Sequence, residues 1–129
     1  MKTKLKHLVR KLLFAILVLG LGMASCTYHT NDYDPLEVPD DVSFDADIIP
    51  IFEASCINAG CHDGSIAPDL RRDVAYVSIM GGGYVTDVDV AENNILYQKI
   101  DDGGSMYVYA TDLDRAYIKK WIEEGALNN

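Results

Sequence analysis

The chain is short of histidine, cysteine, tryptophan and basic residues, and each shortage narrows what it can do. Eleven Lys and Arg stand against 20 Asp and Glu, a balance that argues against nucleic acid, whose phosphates demand basic patches. Histidine occurs only at 7, 29 and 62, so the C-terminal hundred residues hold a single imidazole and no second one to serve as an acid–base partner. Three cysteines and one tryptophan complete the scarce residues. The longest apolar run, Leu12 to Met23, is shorter than the roughly 20 residues that span a bilayer. No internal repeat and no convincing strand alternation appears.

That apolar run follows Lys2, Lys4, Lys6, Arg10 and Lys11. A basic stretch, a short apolar stretch and small residues in that order form a secretory signal. It ends Met23-Ala-Ser-Cys26, which resembles the lipobox of bacterial lipoproteins, so residues 1–25 are expected to be removed and Cys26 to carry the lipid. Cleavage near Ala24, leaving a soluble protein with a spare thiol, is the weaker reading, because lipidation accounts for the odd cysteine. Export places the remaining pair, Cys56 and Cys61, in a compartment where thioethers and disulfides form. The segment after residue 25 keeps six bases against all 20 acids, a composition that keeps it soluble and favours partners with basic surfaces.

Residues 26–45 are acidic and polar, with two prolines and no period, and are expected to form a flexible tether. A domain over 46–129 is small for an unaided core. Its pattern predicts an all-α fold of three to four short helices. The first covers Asp47 to Ser55, with Pro50 tolerated in the first turn. A second is expected over Asp73 to Met80, before Gly81-Gly-Gly83, and a third over Asn93 to Ile100. Thr111 caps the clearest helix, in which Leu113, Ala116, Tyr117 and Trp121, joined by Ile118 and Ile122, recur at helical spacing until Gly125. Phe52 is expected to meet Trp121 or Tyr117 where the terminal helices cross.

The chemistry concentrates in Cys56-Ile-Asn-Ala-Gly-Cys61-His62. Two thiols followed at once by an imidazole suit covalent haem attachment, usually written C-x-x-C-H. Each sulfur adds to a haem vinyl group, and the adjacent histidine is held where its ring nitrogen binds iron. Four residues separate these cysteines instead of two, so the loop must bulge, and Gly60 permits it.

Around that motif the chain resembles the class I c-type cytochromes, in particular the small single-haem, planctomycete-type domains of bacterial lipoproteins. The resemblance spans roughly 46–127. It rests on Pro-Ile-Phe-Glu-Ala-Ser-Cys before the motif, Cys-His-Asp-Gly in it, Ala-Pro-Asp-Leu at 67–70, Leu-Tyr-Gln-Lys-Ile at 96–100, Gly-Ser-Met at 104–106 and Trp-Ile-Glu-Glu-Gly-Ala at 121–126. It implies one covalent haem c per chain, attached at Cys56 and Cys61, with His62 as proximal ligand, the Pro68 carbonyl accepting the other imidazole N–H, and Met106 as distal ligand. Of the methionines that remain after the signal, Met80 ends an apolar stretch and is expected in the core. Tyr-Val-Tyr follows Met106 where the family commonly has proline, so the loop that presents the sulfur departs from the family pattern.

Two other readings compete for the cysteine pair. A Cys56–Cys61 disulfide would make the chain a non-haem binding or structural lipoprotein. A structural zinc site has only Cys56, Cys61 and His62 to offer, with the last two adjacent and badly disposed for a tetrahedron. Asp63, Asp69 and Asp73 are expected as loop and cap residues rather than acid–base catalysts, and Gly81 to Gly83 lack the context of a phosphate loop. The expected function is therefore one-electron transfer between exported redox proteins by a membrane-anchored mono-haem cytochrome, periplasmic or at the outer membrane or cell surface. It is not an enzyme in its own right, though it could serve as the haem module of a larger one.

Overall fold

A computed structural model describes residues 37–129 together with Lys6, His7 and Lys11. The rest of the signal, Cys26 and the tether as far as 36 lie outside the described residues. Among those described, the structure is helical without strands, as expected of an all-α chain, and no helix is long and apolar enough to cross a membrane.

The first helical segment starts earlier than Asp47. A wide turn at Phe44–Ile48 runs directly into α1, Ile49–Ser55. Ser43 caps it, with its hydroxyl accepting from the Ala46 amide at 3.1 Å and its own amide donating to Asp47 at 2.8 Å. Asp45 and Asp47 in the first turn suit the positive end of the helix dipole. Pro50, which has no N–H to give, sits at the start of α1 where the wide turn has displaced the regular ladder.

Three further helices follow: α2, Ala75–Gly81; α3, Ile95–Ile100; and α4, Asp112–Glu123. Short 3₁₀ turns at Ala91–Asn93 and Tyr107–Tyr109 precede α3 and α4. Thr111 and Asp114 form a reciprocal capping box on α4, the Thr111 hydroxyl taking the Asp114 amide and the Asp114 carboxylate taking the Thr111 amide. Helix α4 packs against the Phe44–Ile48 turn, the Ala91–Asn93 turn and α3.

The core-facing stripe of α4 differs from the expected one. Ile118, Trp121 and Ile122 are buried, but so is Arg115, whereas Leu113 is exposed and Ala116 and Tyr117 are half-buried. Trp121 is fully enclosed, and its indole N–H donates to the Leu127 carbonyl at 2.9 Å. Its aromatic neighbour is Phe44, 5.1 Å away between ring centroids, and Phe44 in turn lies 6.3 Å from Phe52 and 5.3 Å from Tyr76. The N- and C-terminal helical segments thus meet through Phe44, a residue the composition of 26–45 assigned to the tether.

Val42 is buried as well, so packing begins ahead of the expected boundary at 46. The reason is a set of contacts remote in sequence. Glu124 accepts from the amides of Asp41 and Val42, Asn129 from those of Phe44 and Asp45, and Lys120 pairs with Asp40 at 2.8 Å. The solvent-facing ion pair adds little energy. The backbone bonds fix where residues 41–45 lie and carry Phe44 into the core.

Asn94, also buried, organises the loop before α3. Its carbonyl oxygen accepts from Thr86 and Asp87, and its amide nitrogen donates to the carbonyls of Asp87, Val90 and Ala91. A buried amide with all its hydrogen-bonding capacity used is a rigid strut. It holds Tyr84 beside Leu96, whose amide donates to the Tyr84 carbonyl at 3.0 Å.

Candidate functional site

Helix α1 ends where the cysteine motif begins, and the motif closes on itself. The Cys56 and Ile57 amides both donate to the Phe52 carbonyl, the Cys61 amide to Asn58, and the His62 amide to the Cys56 carbonyl at 3.2 Å. Gly60 takes a φ of +82° within this loop, a conformation costly for a residue with a Cβ. The extra residues between the cysteines are absorbed there as a hydrogen-bonded turn. Beyond it, Asp63 accepts from the amides of Gly60 and Ser65, and its carboxyl is held below the usual range, first by the Ser65 side chain. Asp69 pairs with Arg71 at 2.6 Å, which lowers its carboxyl in the same way. These two aspartates brace the loop.

His62 is oriented by backbone. Its Nδ1 lies 2.8 Å from the Pro68 carbonyl and 3.2 Å from that of Ile66. A carbonyl only accepts, so Nδ1 carries a proton, and in the neutral ring the lone pair therefore lies on Nε2, the tautomer a metal-binding imidazole needs. The Leu70 amide donates to the His62 carbonyl at 2.9 Å, locking the return of the loop and the placement of Pro68.

Met106 is placed by α3. The Gly103-Gly104 turn folds under the end of that helix so closely that a Cβ at Gly104 would lie 2.4 Å from the carbonyl oxygens of Gln98 and Lys99. Only glycine permits that approach. The Met106 amide then donates to the Lys99 carbonyl at 2.7 Å, and the Tyr107–Tyr109 turn follows immediately.

These elements border a partly open cavity of about 310 Å³ that Cys56, Cys61, His62, Pro68 and Met106 all line. Every site residue expected within the folded part borders this one space, while Cys26 lies outside the described residues and Met80 packs half-buried against the core away from the cavity. The remaining wall is largely apolar: Ile51, Phe52 and Leu70 beside the motif, Leu96 and Ile100 from α3, and Ile118 from α4. Lys99, Ser105, Tyr84 and Tyr109 supply polar groups, and motif reasoning did not single them out.

Both cysteines are free thiols, Cys61 exposed and Cys56 half-buried. Burial, with the nearby Asp114 and Cys61 charges adding to it, pushes the Cys56 thiol up to about 11. Among the described residues no three His, Cys, Asp or Glu side chains come together as a metal cage. The site thus offers two thiols, one oriented imidazole and one thioether around an apolar space, which suits a ligand that brings its own metal. No protein-family model matches the chain, and no curated protein or solved structure is similar enough to match it either.

Proposed function

We propose that the chain is an exported, lipid-anchored, single-haem c-type cytochrome that passes electrons one at a time between redox proteins. The observation that carries this reading is the convergence of Cys56, Cys61, His62 and Met106 on one apolar cavity, with the His62 tautomer set by the Pro68 carbonyl.

The residues present fit the group. Cys56 and Cys61 would hold a haem through thioethers, His62 Nε2 and the Met106 sulfur would ligate its iron, and the aliphatic wall would exclude water from its faces. When bound, the haem supplies an iron that alternates between ferric and ferrous states, and a methionine opposite a histidine favours the ferrous form relative to two histidines. His62 and Met106 would leave a bound haem no open coordination site, and no second imidazole occurs after residue 29 to act as a base, so transfer is favoured over oxygen or peroxide chemistry. The acidic surface would favour donors and acceptors with basic faces, and a lipid at Cys26 would keep the domain at the membrane.

Voltammetry of the haem-loaded protein should give one reversible one-electron wave. In Met106→Ala the haem should stay attached while the wave moves to lower potential and the far-red charge-transfer band of thioether-ligated ferric haem disappears. A protein with no reversible wave, or a Met106→Ala variant with unchanged band and potential, would contradict the assignment.

A further inference from the structure

Arg115 is the one charged residue buried among those described, 9% exposed on the inner face of α4. A buried guanidinium is costly unless its donors are matched, and here the matching partners belong to the segment that follows Met106. Nη1 donates to the Ala110 carbonyl at 2.5 Å and to the Tyr107 carbonyl at 3.3 Å, while Nη2 pairs with Asp112. The guanidinium carbon also stands 4.3 Å from the centre of the Tyr107 ring, within cation–π range. One side chain therefore ties both ends of the Tyr107–Tyr109 turn to the first turns of α4.

Met106 is the residue that opens this turn, its carbonyl accepting from the Tyr109 amide at 3.0 Å. It is thus fixed from two directions. Upstream, its amide is held by the Lys99 carbonyl at the end of α3; downstream, the turn it begins is held by Arg115. No proline stiffens the sequence after Met106, which continues Tyr-Val-Tyr with Val108 and Tyr109 exposed. Without a covalent constraint on φ, the turn depends on such contacts for its geometry.

We propose that Arg115 is a positioning residue for Met106: by clamping the Tyr107 and Ala110 carbonyls to α4 it holds the methionine side chain at the cavity, where its sulfur would ligate the iron of a bound haem. The inference rests on the haem reading above. It assigns to a residue outside the ligand set the strength of the iron–sulfur bond, and so the resistance of the site to small ligands. A ligand held by a loop competes with an exogenous one in proportion to the time the loop spends in place.

The test uses the full-length haem-loaded protein and imidazole as the competing ligand, followed through loss of the far-red thioether band. Arg115→Met keeps much of the side-chain volume and removes every donor. It should retain covalent haem and a helical far-UV spectrum, yet lose the band at an imidazole concentration about tenfold lower than the parent. Arg115→Lys keeps the charge but cannot span two carbonyls, and should fall between the two. An Arg115→Met protein with parental imidazole affinity overturns the proposal, and shows Arg115 to be a helix-packing residue only. If that variant fails to fold, Arg115→Lys decides, with unchanged affinity again counting against the clamp. A parent protein with covalent haem but no thioether band overturns the Met106 ligation on which the proposal stands, a result distinct from failure of the clamp alone.

Discussion

Replacing His62 with alanine is expected to remove essentially all native holoprotein. The backbone of His62 does structural work that alanine retains, since its amide reaches the Cys56 carbonyl and its carbonyl takes the Leu70 amide. What the substitution deletes is the ring whose Nδ1–H is spent on Pro68 and whose Nε2 lone pair is thereby free for iron. No other histidine occurs after residue 29 to replace it. Cys61→Ala should have a comparable effect by removing one of the two sulfurs proposed to hold the haem. Expressed with a haem-attachment system, neither variant should yield protein with the parent's covalent haem and reduced spectrum. A His62→Ala protein with a native haem spectrum would show that the proximal ligand lies elsewhere.

The second large effect is on stability. Trp121→Ala empties the centre of the core, because the indole is 0% exposed, packs at a tilt against Phe44 with ring centroids 5.1 Å apart and donates to the Leu127 carbonyl. Truncating a buried tryptophan costs about 3–5 kcal/mol, a large fraction of the roughly 5–15 kcal/mol that holds a domain together. For a domain of this size each kcal/mol lowers the unfolding midpoint by about 4–8 °C. Trp121 is the only tryptophan, so the transition must be followed by far-UV circular dichroism rather than fluorescence. An unchanged midpoint would remove Trp121 from the core.

How far the sequence could be read depended on whether the determining contacts were local. The α4 boundaries were legible because the Thr111–Asp114 cap and the Ile118, Trp121 and Ile122 spacing lie within one helix. The buried stripe was not. Leu113 and Tyr117 look more apolar than Arg115, yet Arg115 goes inside because two loop carbonyls and Asp112 meet its guanidinium. Such pairing with backbone leaves no compositional trace, although the 115–118–122 spacing is helical and would have put the arginine on the inner face.

Phe44 is hidden in the sequence for a related reason. It stands in an acidic, proline-punctuated stretch whose local character is that of a linker, and its placement depends on Asn129, which takes its own amide, and on Glu124, which takes those of Asp41 and Val42 just before it. At the site, Cys56, Cys61 and His62 stand out in the sequence by their chemistry and order, Pro68 and Met106 enter through the resemblance, and all five line one cavity. The elements that bring them together do not stand out, because Gly104 beneath α3 and Asn94 inside its loop act through backbone contacts. Spacing alone does not reveal those.

The central claim is that Cys56 and Cys61 carry a covalent haem, and intact mass with a pyridine haemochrome spectrum tests it most directly. The protein expressed with a haem-attachment system should gain the mass of one haem that survives denaturation, with a reduced spectrum of the c type. A haem-free protein two hydrogens lighter than its reduced form would establish a Cys56–Cys61 disulfide instead, and the electron-transfer function would fall with the haem.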